Sequence, residues 1–117
     1  MSLTVSTESR GDVVVVSVGG ELDMATAPQL QEQITEQLDQ GHHRLVFDLA
    51  ELTFCDSTGL SVFVRAKNSC DDAGGEVRVA APQRGVLRIL EVSGLVEVLS
   101  TYPTVDEAVA TTPNPLS

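Results

Sequence analysis

Leu52-Thr53-Phe54-Cys55-Asp56-Ser57-Thr58-Gly59-Leu60 joins two segments of different periodicity, and its reading decides the fold. Before it, Leu45-Val46-Phe47-Asp48-Leu49 is a short apolar run with the character of a central strand. After it, Leu60, Phe63, Val64 and Lys67 share a helical face, with Val62 and Ala66 beside it, which predicts a helix starting near Gly59. Ala50 to Ser57 is then a strand-to-helix loop. Ser57 at such a helix start has two readings. Its oxygen accepts from an unpaired backbone N–H as a plain cap. Alternatively it presents a hydroxyl for modification, because a helix N-terminus favours an added anion. Asp56 or Thr58 would serve the cap equally well, so the Ser-Thr pair is more than the helix needs.

Working outward, the same alternation recurs. Leu3 to Thr7 alternates apolar and polar, and Val13 to Val18 follows Gly11-Asp12 as a β-branched strand, which predicts an antiparallel hairpin. Gly19-Gly20 ends it. Thr26 is placed to cap the next helix, with Pro28 in its first turn and Leu30, Ile34 and Leu38 on its buried face. Gly41 stops that helix, and Gly74-Gly75 stops the helix after Ser57. Val77 to Ala80 is a strand, Gln83 to Val92 a helix stopped by Gly94, and Leu95 to Leu99 a short edge strand. Thr104 with Glu107 forms a capping-box pattern that starts a last helix. Residues 1–110 read as one domain and 111–117 as a flexible C-terminal tail.

Alternating elements of this kind require crossovers. The strands at Val13, Leu45 and Val77 become mutually parallel, with an antiparallel strand at Leu3. The expected fold is α/β, a mostly parallel mixed sheet flanked by about four helices. Parallel strands share a carboxyl edge, where sites on open α/β sheets gather. The loops Gly19–Ala25, Ala50–Thr58 and Ala81–Gln83 emerge there. Asp23, Asp56, Ser57 and Thr58 therefore become neighbours.

Composition narrows the function. Seventeen acidic residues against seven basic ones give a net charge of −10, which repels nucleic acid and anionic membranes. Few aromatics leave no stacking platform for single strands. A protein partner or small ligand fits better. Cys55 and Cys70, at opposite ends of one helix, stand roughly 20 Å apart and cannot bridge. Free thiols, no signal-peptide pattern and no membrane-length apolar run lead us to expect a soluble, cytoplasmic protein.

Enzyme chemistry finds little support. The stretch is not Gly-x-Ser-x-Gly, and His42 and His43 follow Gly41 at the opposite sheet edge from Ser57. A lone His-His is a weak metal motif and reads as a solvated turn. No phosphate-cradling glycine loop is present. Asp23 reads equally as the start of a turn, Asp48 as the polar end of a strand, and Glu21 as a solvated charge.

Gly20-Glu21-Leu22-Asp23 after a Val-rich strand, with Asp56-Ser57-Thr58-Gly59-Leu60 after Leu45 to Leu49, resembles the STAS domain. More narrowly, it resembles the bacterial anti-sigma factor antagonists. The similarity runs from about Leu3 to Ala110, element order included. It implies a partner switch rather than an enzyme, with no cofactor of its own. The unphosphorylated antagonist binds an anti-sigma factor that is also a serine kinase, and the kinase supplies the ATP. Phosphorylation of the residue matching Ser57 releases the antagonist, and a PP2C-like serine phosphatase resets it. Thr58 stands where a second Ser is common and is a possible second phosphosite; Cys55 replaces a larger apolar residue. The implied docking residues are Asp23, Asp56, Ser57, Thr58, Gly59 and Leu60, and the chain is expected as a monomer or weak dimer. The alternative is a structural STAS subunit of a transport or signalling complex, using the same face without phosphorylation. A Ser57 hydrolase is a distant third.

Overall fold

The computed structural model describes residues 2–110. The tail expected over 111–117 lies outside them, as does Met1. The elements follow in the order β1 (Leu3–Arg10), β2 (Val13–Leu22), α1 (Ala27–Asp39), β3 (Arg44–Asp48), β4 (Leu52–Cys55), α2 (Ser57–Asp72), β5 (Glu76–Ala80), α3 (Arg84–Val92), α4 (Leu95–Val98), β6 (Thr101–Tyr102) and α5 (Val105–Ala110). The sheet order is β1-β2-β3-β5-β6, with β4 paired to β2 off this path. Only β1 is antiparallel to its neighbour. The expected hairpin and the parallel trio are therefore present.

The strands' period of two divides the interior into two layers. Val14, Val16 and Val18 of β2, Leu45 and Phe47 of β3, and Val77 and Val79 of β5 face the larger core, with α1, α2, α3 and Leu99 packed over it. Val13, Val15, Val46 and Ala80 face the other way, against Ala108 of α5. Burial on both faces explains why Val13–Val16 reads as an unbroken apolar run. On α2 the buried stripe is Gly59, Leu60, Val62, Phe63, Ala66 and Cys70. Val64 and Lys67, expected on that stripe, are half-buried beside it, and Lys67 pairs with Asp71.

Arg78 projects from β5 into the smaller layer and is 6% exposed. Its Nη1 donates to Ala108 O (2.6 Å), its Nη2 to Glu76 Oε2 (3.0 Å), and its guanidinium lies 5.6 Å from the Tyr102 ring centre. At the other end of α5, Thr104 Oγ1 accepts from Glu107 N (3.1 Å), the cap that the Thr-x-x-Glu pattern predicts.

Three expectations need correction. Gly19-Gly20 does not end β2; the strand continues to Leu22 through a register shift at Gly20/Glu21, where Gly20 takes φ +91°. Ala50–Ser57 is not all loop, because Leu52–Cys55 pairs parallel to that extension. Leu95–Leu99 is not a strand. Gly94 at φ +77° breaks the chain direction, Leu99 N then bonds Leu95 O (2.8 Å), and the edge strand comes later at Thr101–Tyr102. Among the described residues the helices number five, with α4 a single turn, in keeping with the expected α/β fold of a mostly parallel sheet and about four helices.

Phe47 and Phe63 are fully buried and meet edge-to-face, with ring centres 5.0 Å apart. Phe63→Ala is expected to cost about 3–5 kcal/mol in urea unfolding. A cycle built with Phe47→Leu and Phe63→Leu should give a coupling of about 0.5–1.5 kcal/mol. Additive effects would show that the ring contact contributes nothing beyond burial.

Candidate functional site

Pairing of β4 to the end of β2 builds the site. Leu22 and Cys55 are register partners, and Asp56 N donates to Leu22 O (3.1 Å). The residues that follow each strand, Asp23 and Asp56, are thereby set side by side at the carboxyl edge. This is the juxtaposition the topology predicts.

Each aspartate begins a helical turn. Asp56 has extended backbone, φ −101° and ψ −174°, and its Oδ1 accepts from Gly59 N (3.0 Å). It is the cap of α2, and the helix starts at Ser57 rather than near Gly59. Asp23 organises the turn before α1. Its Oδ1 accepts from Ala25 N (2.9 Å) and Thr26 N (3.0 Å), while Asp23 N donates back to Thr26 Oγ1 (2.9 Å). Thr26 Oγ1 in turn donates to Glu21 O (2.8 Å). Thr26 stands at the N-cap position of α1, as expected, but its side chain makes no cap hydrogen bond to the helix; Asp23 and Thr26 instead close the turn 23–26 that leads into it.

With the cap taken by Asp56, Ser57 is exposed and its hydroxyl makes no hydrogen bond among the described residues. Thr58 is half-buried. Gly59 is buried, and a Cβ there would lie 2.7 Å from Leu22 Cγ and 2.8 Å from Cys55 Sγ. Only the absent side chain lets the first turn of α2 approach β2 and β4 this closely. Leu60, 8% exposed, joins Ser57, Ser61, Val64, Arg65 and Leu95 around a shallow, mainly apolar depression of about 400 Å³.

Two residues at this edge had no assigned role in the sequence reading. Met24, next to Asp23, is 75% exposed, and Phe54, two residues before Asp56, is 45% exposed. Val92 and Val98, away from this edge, are exposed as well, at 75% and 44%, so exposure alone does not single out Met24 and Phe54. Phe54 faces out because its register partner is Glu21 on the extended part of β2, a pairing that local sequence does not announce.

The histidines lie elsewhere, before the amino end of β3. His42 Nδ1 meets Gln37 Oε1 (2.8 Å), and His43 O accepts from Glu76 N (2.9 Å). Neither is at the edge that carries Ser57. No helix among the described residues is long and apolar enough to cross a membrane.

Cys55 and Cys70 are both free and buried. Burial, and secondarily the charge of Asp56, pushes the Cys55 thiol up from 9.0 to about 12. Burial and then Asp71 push Cys70 up from 9.0 to about 11. Below pH 9.0 both folded and unfolded chains hold these protons, so stability is indifferent to them. Above it the unfolded chain loses protons that the folded chain keeps, so unfolding stability should fall as pH rises toward 11–12. Native protein at pH 8 should also react with a thiol reagent only as fast as it unfolds; rapid native labelling would contradict this burial. Asp56→Ala should cost about 1 kcal/mol of stability in thermal or urea unfolding, the ordinary loss of a helix cap.

The family model for the STAS domain matches residues 4–108. An anti-sigma factor antagonist from Mycobacterium paratuberculosis is 33% identical, with TM-score 0.85 and 92% of each chain covered. The anti-sigma-B factor antagonist of Staphylococcus epidermidis is 29% identical over 99 residues, 85% of this chain and 92% of that one. The phosphorylated form of the Bacillus cell fate determinant SpoIIAA is 22% identical, with TM-score 0.72, covering 91% of this chain and 96% of that one, a likeness of fold. The family model and these relatives agree: the chain belongs to the STAS domain family, among its anti-sigma factor antagonists.

Proposed function

We propose that this chain is an anti-sigma factor antagonist whose binding is switched by phosphorylation of Ser57. Unphosphorylated, it docks on an anti-sigma factor that is also a serine kinase and so frees the sigma factor. The observation that carries this reading is the division of labour at the start of α2. Asp56 Oδ1 holds Gly59 N at 3.0 Å, so the exposed Ser57 hydroxyl has no structural duty. The docking face comprises Asp23, Asp56, Ser57, Thr58 and Leu60, with Met24 and Phe54 as apolar contacts. Gly59 contributes through the close approach that fixes the turn.

The chain supplies a nucleophile and the partner supplies the catalysis. Ser57 Oγ forms a bond to the γ-phosphorus of ATP held by the kinase. The bond to the β–γ bridging oxygen breaks, ADP leaves, and the hydroxyl proton passes to a base on the kinase. Thr58, one residue on, is a second acceptor. A PP2C-like serine phosphatase hydrolyses the ester and restores the docking state. The exchange belongs in the cytoplasm, where ATP and sigma factors are found.

Charge explains the release. The phosphate adds up to about −2 and three oxygens in the middle of the contact surface. The unpaired N–H groups at the head of α2 and Arg65, which lines the same depression, support it weakly, and Asp56 opposes it. An unpaired charge buried under a partner costs several kcal/mol. Losing about 3 kcal/mol already weakens binding more than a hundredfold. No refolding is needed.

The test is incubation with ATP and the anti-sigma kinase, followed by site mapping by mass spectrometry. Phosphate is expected on Ser57; none on Ser57 or Thr58 would rule out the switch. Ser57→Ala should keep its affinity for the kinase, and Ser57→Glu should lose it. Equal affinities would exclude the charge mechanism.

A further inference from the structure

The two edges of the sheet are unequal. At one end β6 is only two residues long. At the other, β1 runs eight residues in continuous register with β2, from Leu3↔Gly20 to Arg10↔Val13. Between Leu3 and Arg10 there is no Pro, no Lys and no bulge, and the charged residues on the strand are Glu8 and Arg10 toward its end, so the stretch from Leu3 to Thr7 carries none of the usual devices that keep an edge from pairing.

Three hydrogen bonds fix where each backbone group of β1 points. Glu21 N donates to Ser2 O (3.1 Å), so Ser2 faces β2 and the next pair, Leu3↔Gly20, is non-hydrogen-bonded. Gly20 N accordingly turns away from β1, to Glu51 O (2.9 Å). Leu3 O turns outward, where Gln29 Nε2 donates to it (3.0 Å). By alternation, the N–H and C=O groups of Val5, Thr7 and Ser9 point outward, and those of Thr4, Ser6 and Glu8 point toward β2. Among the described residues, nothing bonds the outward groups of Val5, Thr7 or Ser9.

We infer that β1 pairs antiparallel with β1 of a second copy, on a two-fold axis through Thr7. The occupant follows from symmetry. The outward set is centred on Thr7, so Thr7 exchanges both bonds with its own counterpart, Val5 with Ser9 of the other copy, and Ser9 with Val5. Gln29 ends the ladder by holding the Leu3 carbonyl. The side chains agree with this register. Thr opposite Thr is a favourable cross-strand pair. Half-buried Val5 gains cover from Ser9. Glu8 lies across from Ser6, and Arg10 across from Thr4, so no like charges are directly opposed. Since β2 lies between β1 and β4, pairing leaves the Ser57 edge open.

The association is weak and reversible. An eight-residue edge is a small interface, and each copy carries −10. Salt screens that repulsion, so higher ionic strength tightens the dimer, the reverse of an ion-paired contact.

The test is sedimentation velocity with amide exchange by NMR, from micromolar to millimolar protein at low and high salt. A monomer–dimer equilibrium stronger at high salt is expected. The amides of Val5, Thr7 and Ser9 should gain protection as concentration rises, while those of Thr4, Ser6 and Glu8 are protected throughout. Thr7→Pro removes the outward N–H and the Thr–Thr side-chain pair while leaving the bonds to β2 in place, and should weaken dimerisation at least tenfold. A monomer at every concentration overturns the inference, as does a dimer whose Val5, Thr7 and Ser9 amides stay exchangeable. Should Thr7→Pro fold poorly, the wild-type exchange pattern decides alone.

Discussion

The site depends on a short parallel ladder, β4 against the last residues of β2. Without it, Leu22 and Cys55 would not be partners, and Asp23 and Asp56 would head separate loops. With it, two helices start from one sheet edge, α2 under its Asp56 cap and α1 after a turn that Asp23 closes. Gly59 then decides how near α2 can come, because any Cβ would meet Leu22 and Cys55. A register, a missing side chain and two carboxylates together leave a serine hydroxyl standing free.

The division of the apolar residues between two layers follows from the same strands. Successive residues of a strand point to opposite faces, so one valine run serves both cores. The larger layer anchors α2 along Leu60, Phe63 and Cys70, so the helix carrying Ser57 rests on a wide foundation. The proposed switch at its head therefore needs no change in the packing beneath it.

Much of this is legible in the chain. The runs at Val13, Leu45 and Val77 and the spacing of Leu30, Ile34, Leu60 and Phe63 are long enough for periodicity to speak, and they yield the parallel sheet and its edge. Ser57, Asp56 and Asp23 are legible because capping residues and loops between alternating elements are local signals. What escapes is non-local. Leu52–Cys55 is too short for a pattern, and its strand state comes from β2. Gly19-Gly20 has the composition of a stop, yet Gly20 serves a register shift. Exposure of Met24 and Phe54 is likewise a property of packing, invisible until the neighbours are placed. Leu95–Leu99 shows a competition that length decides: four apolar residues suit a strand or one helical turn, and left-handed Gly94 starts the turn.

Arg78 gives the smaller layer a mechanical character of its own. One guanidinium reaches the carbonyl near the end of α5, the Glu76 carboxylate and the Tyr102 ring, and so adds polar fastening to a six-residue helix already held by the packing of Val105, Ala108 and Val109 and by the Arg10–Asp106 pair. A helix that short has little cohesion in isolation. Its stability is therefore borrowed from the sheet: α5 covers Val46 and Ala80 on the face opposite the one that carries α2, and the two layers are closed by separate sets of contacts.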